Sequence, residues 1–182
     1  NMLASSRDFV AVNLTQATQV AVQNGRSCAV RGQGELWCWG HDAQSDQSVH
    51  APTRLEGLPP VRRVALAPTN LTGCALAEDG RMACWGQRNA QLVVGLGLEE
   101  APGGTEAYAP PTMVPNIDEV VDLAVSDTGM CYLRRNGAYA CTATGGLELQ
   151  QPGTSVVAIA LSSNGAMRTV LDENGRVRQW NI

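Results

Sequence analysis

One fourteen-residue pattern occurs four times along this chain, and it constrains the fold more than any bulk property does. The copies are SCAVRGQGELWCWG (27–40), GCALAEDGRMACWG (73–86), MCYLRRNGAYACTA (130–143) and RTVLDENGRVRQWN (168–181). Gly34, Gly80, Gly137 and Gly175 coincide. Before them come Cys28, Cys74, Cys131 and Thr169, and after them Cys38, Cys84, Cys141 and Gln179. Trp39, Trp85 and Trp180 also align, with Thr142 as the exception. Repetition of this kind means units that bury their apolar faces by stacking on one another.

Each copy reads as a β-hairpin. Short alternating stretches flank a tip that ends in glycine: Gly32-Gln33-Gly34, Glu78-Asp79-Gly80, Arg135-Asn136-Gly137 and Glu173-Asn174-Gly175. A three-residue loop of this type is a type I turn followed by a residue at positive φ, a conformation that glycine adopts without strain. That register sets Cys28 opposite Cys38, Cys74 opposite Cys84 and Cys131 opposite Cys141. Opposed residues of an antiparallel pair are close enough for a disulfide. Reduced core cysteines are the alternative, but three pairs at one spacing, lost together in the fourth unit, favour bridges. A zinc knuckle would place its cysteines about two to four residues apart, which these are not.

A second block precedes each hairpin: TQVAVQ, RRVALA, VDLAVS and VAIALS, centred on Ala21, Ala65, Ala124 and Ala160. A third lies before that, as FVAV, PTRL, PTMV and a weak counterpart near Gln151–Gly153. The chain is thus expected to be one repeat domain over 1–182, with units at about 9–40, 52–86, 111–143 and 151–181.

The cysteine pairs, the Trp-Gly step and the blocks before them resemble the repeat of the regulator of chromosome condensation family, in its cysteine-containing secreted form. Val61 to Ala65, Cys74 to Gly86 and Gln87 to Leu92 follow that pattern most closely. The third unit departs from it at Thr142-Ala143 and the fourth lacks both cysteines. The resemblance implies an all-β fold, a β-propeller of four-stranded antiparallel blades, of which the family usually has seven. Four units leave three arrangements open: a closed four-bladed ring, part of a larger ring, or a ring completed by another chain. An open array leaves exposed sheet edges, which natural proteins avoid.

Composition narrows the function. The chain is 44% hydrophobic, so it can build a core across its 182 residues. No apolar run approaches the roughly 18–20 residues of a membrane span, and no signal peptide is visible at its start, as expected if one is removed. The net charge is −4 and the 13 basic residues, all arginine, are scattered, which argues against a nucleic-acid partner. Six paired cysteines imply an oxidising compartment: extracellular, periplasmic or cell surface. Asn13-Leu14-Thr15 and Asn70-Leu71-Thr72 are glycosylation acceptors only in a eukaryotic host.

In a meander, alternate loops share a face. The hairpin tips are short and uniform. The opposite face gathers residues 41–51, 87–109 and 143–150 together with Pro68-Thr69-Asn70-Leu71-Thr72. Irregular loops on a rigid scaffold are where binding sites concentrate, and candidate contacts there are His41, Glu99, Glu100 and Glu106. Trp37 is a further candidate, because the other units have Ala83, Ala140 and Arg178 in its place. His41, Asp42, Asp46 and His50 have metal-ligand types but no recognised metal spacing; a solvated loop is the better reading. No catalytic set, cofactor motif or phosphate loop is visible.

The expected role is therefore a non-catalytic, extracytoplasmic protein-binding module with no cofactor. A structural subunit completing a ring or fibre, and a lectin using Trp37, are the alternatives. Among proteins with this repeat, the resemblance offers an exchange factor for a small GTPase, a secreted β-lactamase inhibitor and plant receptor-kinase ectodomains. The intracellular exchange role fits the disulfides least.

Overall fold

The fold was analysed in a computed structural model, which describes residues 11–23, 25–41, 48–69, 72–87, 96, 98, 108–143, 146–150 and 155–181. These form antiparallel strands and no helix. The first sheet contains β1 (Ala17–Gln23), β2 (Arg26–Arg31), β3 (Glu35–His41) and β4 (Ser48–Arg54). The second contains β5 (Val61–Leu66), β6 (Gly73–Ala77), β7 (Met82–Gln87) and β8 (Tyr108–Met113). The third contains β9 (Val120–Val125), β10 (Met130–Arg134), β11 (Tyr139–Ala143) and β12 (Gly146–Gln150). The fourth has three strands among the described residues: β13 (Val156–Leu161), β14 (Met167–Asp172) and β15 (Val177–Asn181). Each sheet is a meander in chain order.

The repeated hairpin has the geometry its tip glycine demands. Gly34, Gly80, Gly137 and Gly175 have φ of 92°, 86°, 81° and 75°. Each donates its N–H to the carbonyl three residues back, at 3.0–3.1 Å. Ala77 then donates to Arg81 at 2.9 Å, making a hydrogen-bonded pair at the neck of the second hairpin. Alternation from that pair places Cys74 and Cys84 at a non-hydrogen-bonded site, where side chains are closest. The three disulfides, Cys28–Cys38, Cys74–Cys84 and Cys131–Cys141, form there with Cα separations of 4.0–4.1 Å. No described cysteine is free.

The sheets are offset by one strand from the sequence units. Pro52–Leu55 and Pro111–Val114 stand first in their units by similarity, yet they hydrogen-bond to the hairpin before them: Thr53 pairs with Cys38 and Thr112 with Cys84. A repeat in sequence sets a period; only strand pairing sets its phase. The Phe9–Val12 and Gln151–Gly153 segments fall largely outside the described residues.

The Trp-Gly step marks a bulge. The β3–β4 register slips between Cys38 and Gly40, and the β7–β8 register slips between Cys84 and Gly86. Both glycines have positive φ, 98° and 146°. In the third unit Thr142-Ala143 replaces Trp-Gly, and β11 pairs with β12 without a slip. A second bulge recurs at the start of β1, β5, β9 and β13, where Thr18, Arg62, Val121 and Val157 are skipped in the pairing. Bulges bend and twist a strand, and here they do so at the same point in every sheet.

Stacking joins the sheets in sequence. Cys28, Val30 and Leu36 of the first sheet pack on Val64, Leu66, Ala75 and Trp85 of the second. Cys74, Leu76, Met82 and Cys84 pack on Leu123, Met130 and Tyr132 of the third. Cys131, Leu133, Tyr139 and Cys141 pack on Ile159 and Val170 of the fourth. Every disulfide therefore lies on the face a sheet presents to its successor. Backbone bonds fasten the same joints: the N–H groups of Val61, Val120 and Val156 donate to the carbonyls of Gly34, Gly80 and Gly137, at 2.9, 3.0 and 3.3 Å. No comparable packing joins the fourth sheet to the first among the described residues. Closure of four sheets into a ring is not seen among the described residues. No described helix is long and apolar enough to cross a membrane.

Candidate functional site

The meander sorts its turns onto two faces. One carries the hairpin tips and the links between sheets, at residues 55–60 for the first link. The other carries the β1–β2 and β3–β4 type connections, including the described residues 67–69, 72 and 126–129.

Three polar side chains at the tips are engaged by their own turns. Asp79 accepts hydrogen bonds from the Arg81 backbone N–H (3.0 Å) and guanidinium Nε (2.8 Å). The Arg81 side-chain bond, helped by the backbone one, holds the Asp79 carboxyl below its ordinary value. Asn136 accepts from Ala138 N–H at 3.0 Å. Asp172, buried at the neck of the last hairpin, accepts from the N–H groups of Asn174 and Arg176, both at 3.0 Å. The Arg176 N–H is the main reason that its carboxyl also stays low.

The inner strands are tied by polar contacts from sheet to sheet. Gln19 exchanges two hydrogen bonds with the Val64 backbone, at 2.9 and 3.2 Å. Arg63 pairs with Asp122 at 2.7 Å, and Arg62 donates to the Val120 carbonyl at 2.9 Å.

At the loop-rich end of the first and second sheets lies a cleft of about 200 Å³. Arg26 and His41 reach it from the ends of β2 and β3, with Trp39 beside them; Trp85 and Tyr108 come from the second sheet. Thr53, Arg54 and Leu55 complete one wall. Trp85 is 1% exposed and lies flat across Gly73, where any Cβ would fall 2.7 Å from the indole. That glycine is what lets the ring sink to the floor of the joint.

The candidates drawn from sequence separate. His41 lines the cleft. Trp37 does not: it stands on the outer face of the first sheet, where its Nε1–H donates to Glu35 at 3.2 Å and Arg31 lies over its ring at 5.3 Å. Glu35 also pairs with Arg54 at 3.3 Å. The ring sought as a lectin platform is thus engaged with its own sheet. Glu99, Glu100, Glu106, Asp42, Asp46 and Asn70 lie outside the described residues, as does the side chain of His50. Among the described residues no group of three or more His, Cys, Asp or Glu is placed to hold a metal. Arg26, Trp39, Trp85 and Tyr108 were not singled out from sequence. The signal at Arg26 was available, because the other units have Thr72, Gly129 and Met167 there. The tryptophans were read as shared core, which Trp85 is.

Three solved structures share this arrangement. Human WBSCR16 superposes with a TM-score of 0.73 at 18% identity, over 91% of this chain and 47% of that one. Prp20p of Saccharomyces cerevisiae, described with its binding to Gsp1p and histones, gives 0.65 at 17% identity, over 81% and 42%. Yeast RCC1 (Prp20) bound to Kap60 gives 0.68 at 15% identity, over 96% and 45%. The fold is that of RCC1-type propellers. The chain spans less than half the length of each. No family model and no curated protein sequence matches it. At these identities the likeness establishes the fold, and the RCC1-type repeat read from the cysteine hairpins agrees with it.

Proposed function

We propose that this chain is a non-catalytic protein-interaction module that works in an oxidising, extracytoplasmic compartment and takes its partner on the loop-rich face. The observation that carries the reading is the contrast between the faces. Asp79, Asn136 and Asp172 at the tips are engaged by their own turns, whereas a cleft lined by Arg26, His41, Trp85 and Tyr108 lies between the first two sheets. That Prp20p and RCC1 are described with protein partners supports a binding role for this architecture. Three disulfides support the compartment, since thiols are kept reduced in most cytosols. A photo-crosslinking residue at Thr69, Asp127 or His41 should capture the partner, and one at Asn136 or Asn174 should not. Capture through the tip positions alone would sink the reading.

Assembly with other chains is the second reading, and one observation favours it. Val20 and Val22 are each 69% exposed, while their counterparts Val64 and Leu66 are 2% and 5% exposed beneath the preceding sheet. A Val20→Asp substitution should then dissociate an oligomer seen by light scattering. A wild-type monomer at micromolar concentration would remove this reading.

A further inference from the structure

The joint between successive sheets is built three times from the same parts. The N–H groups of Val61, Val120 and Val156 donate to the carbonyls of Gly34, Gly80 and Gly137. The residue before each valine seats against that tip glycine: a Cβ added to the glycine would fall 2.8–3.2 Å from the Cα of Pro60, Glu119 or Ser155. Leu36, Met82 and Tyr139 are buried on one side of the joints, and Val64, Leu123 and Ile159 on the other. An outer strand finishes the sheet. Thr53 pairs with Cys38 and Thr112 with Cys84, each eight residues before the valine that opens the next sheet.

The two ends of the array carry the two halves of a fourth such joint. On the fourth sheet, Val177 has the place of Leu36, Met82 and Tyr139 and is exposed. A Cβ at Gly175 would meet nothing within 4 Å, and β15 has no outer strand among the described residues. On the first sheet, Ala17 has the place of Val61, Val20 that of Val64, and Val20 and Val22 are exposed. Gln16 already has φ of 59°, close to the 54° of Glu119, which seats against Gly80. Eight residues before Ala17 stands Phe9, which opens the FVAV segment. By sequence that segment holds the place of the outer strands of Thr53 and Thr112.

We propose that a second copy of this chain supplies the missing half. The β1 face of the copy packs on Thr169, Leu171, Val177 and Gln179, and its Phe9–Val12 segment adds beside β15 as the outer strand. The inference rests on the assembly reading above and gives it a partner and a geometry. Neither face carries a charge at these positions, and strand addition satisfies an edge that natural sheets seldom leave bare. The contact is heterologous, the fourth sheet of one copy meeting the first sheet of the other. The arc superposes on less than half of each propeller compared above, so two arcs close as one ring with two identical joints.

The full chain at about 10 µM should scatter light as a particle of twice 19.2 kDa, for association of about micromolar strength. Such a pair parts before either chain unfolds, so Val20 and Val177 govern assembly and not the unfolding of one chain. Val20→Asp and Val177→Asp should each weaken association by at least about a hundredfold, since each buries a charge in the joint. Mixed, the two variants should associate more tightly than either alone, because the mixture restores one intact joint. Phe9→Cys chains oxidised with Gln179→Cys chains should give a covalent pair, and Phe9→Cys with Asn136→Cys should not. Loss of association in Val20→Asp but not in Val177→Asp would overturn the proposal and leave the assembly reading standing, since first-sheet faces would then meet each other. A wild-type monomer would overturn both. A Phe9–Gln179 bridge formed only inside one chain carrying both cysteines would assign the edge to the chain's own segment and overturn the second copy. A mass that keeps rising with concentration would overturn closure at two.

Discussion

The second and fourth sheets share one local design in different surroundings. Both turn on a glycine at positive φ, at Gly80 and Gly175. Both pair the residues flanking it in the same register, Cys74 with Cys84 and Thr169 with Gln179. Yet Met82 is 0% exposed and its counterpart Val177 is 66% exposed. The second hairpin is covered by the third sheet, and nothing described covers the fourth. Cystine is an apolar group suited to a buried joint, whereas threonine and glutamine tolerate water. The turn is therefore a local property of the chain, and the bridge goes with a covered face.

The largest expected effect tests that cover. Met82→Ala should cost about 2–5 kcal/mol in denaturant unfolding, as for a buried side chain that leaves a cavity. Val177→Ala should stay within about 0.5 kcal/mol. Equal losses would mean that the two faces are equally buried in solution.

The bridges come next. Replacing Cys74 and Cys84 together by serine should lower stability by about 3 kcal/mol. Installing Thr169→Cys with Gln179→Cys should create a fourth bridge, seen as a loss of two hydrogens by intact mass. It should add no more than about 3 kcal/mol. Failure of that pair to oxidise would show that the fourth hairpin lacks the register of the second.

The tip glycines separate backbone strain from contact. Gly175→Ala should cost about 1–2 kcal/mol for the left-handed conformation alone, since a Cβ there meets nothing within 4 Å. Gly34→Ala should cost more, because its Cβ would lie 2.7 Å from the Val61 nitrogen and 2.8 Å from Pro60 Cα. Identical costs would mean that the link between the first two sheets yields freely.

The smallest effect concerns pH. The Asp172 carboxyl titrates below its ordinary value because backbone N–H groups, Arg176 first, stabilise its charge. A depressed carboxylate contributes stability above its unfolded value and loses it as pH falls through the folded one. Amide exchange in β14 and β15 should therefore quicken in acid before that of β6 and β7. Asp172→Asn should remove that part of the acid dependence.

Much of this was legible in the residues. The glycine spacing and the opposed cysteines determined the hairpin, its tip and its three disulfides, because all of these follow from pairing parity within about ten residues. The departure at Thr142-Ala143 likewise marks where the third unit lacks the Trp-Gly bulge of the first two.

Other features depend on groups far apart in sequence. Which sheet the PTRL and PTMV segments join was decided by hydrogen bonds between strands. The burial of Val64 beside the exposure of Val20, two residues with the same local pattern, was decided by the stacking of one sheet on the next. Trp37 looked like the unusual ring and proved to lie against Glu35 and Arg31 of its own sheet. Arg26 looked ordinary and lines a cleft with Trp85 and Tyr108 across a joint. A hairpin carries its own geometry in a few consecutive residues, but a cleft between two sheets exists only once both have stacked.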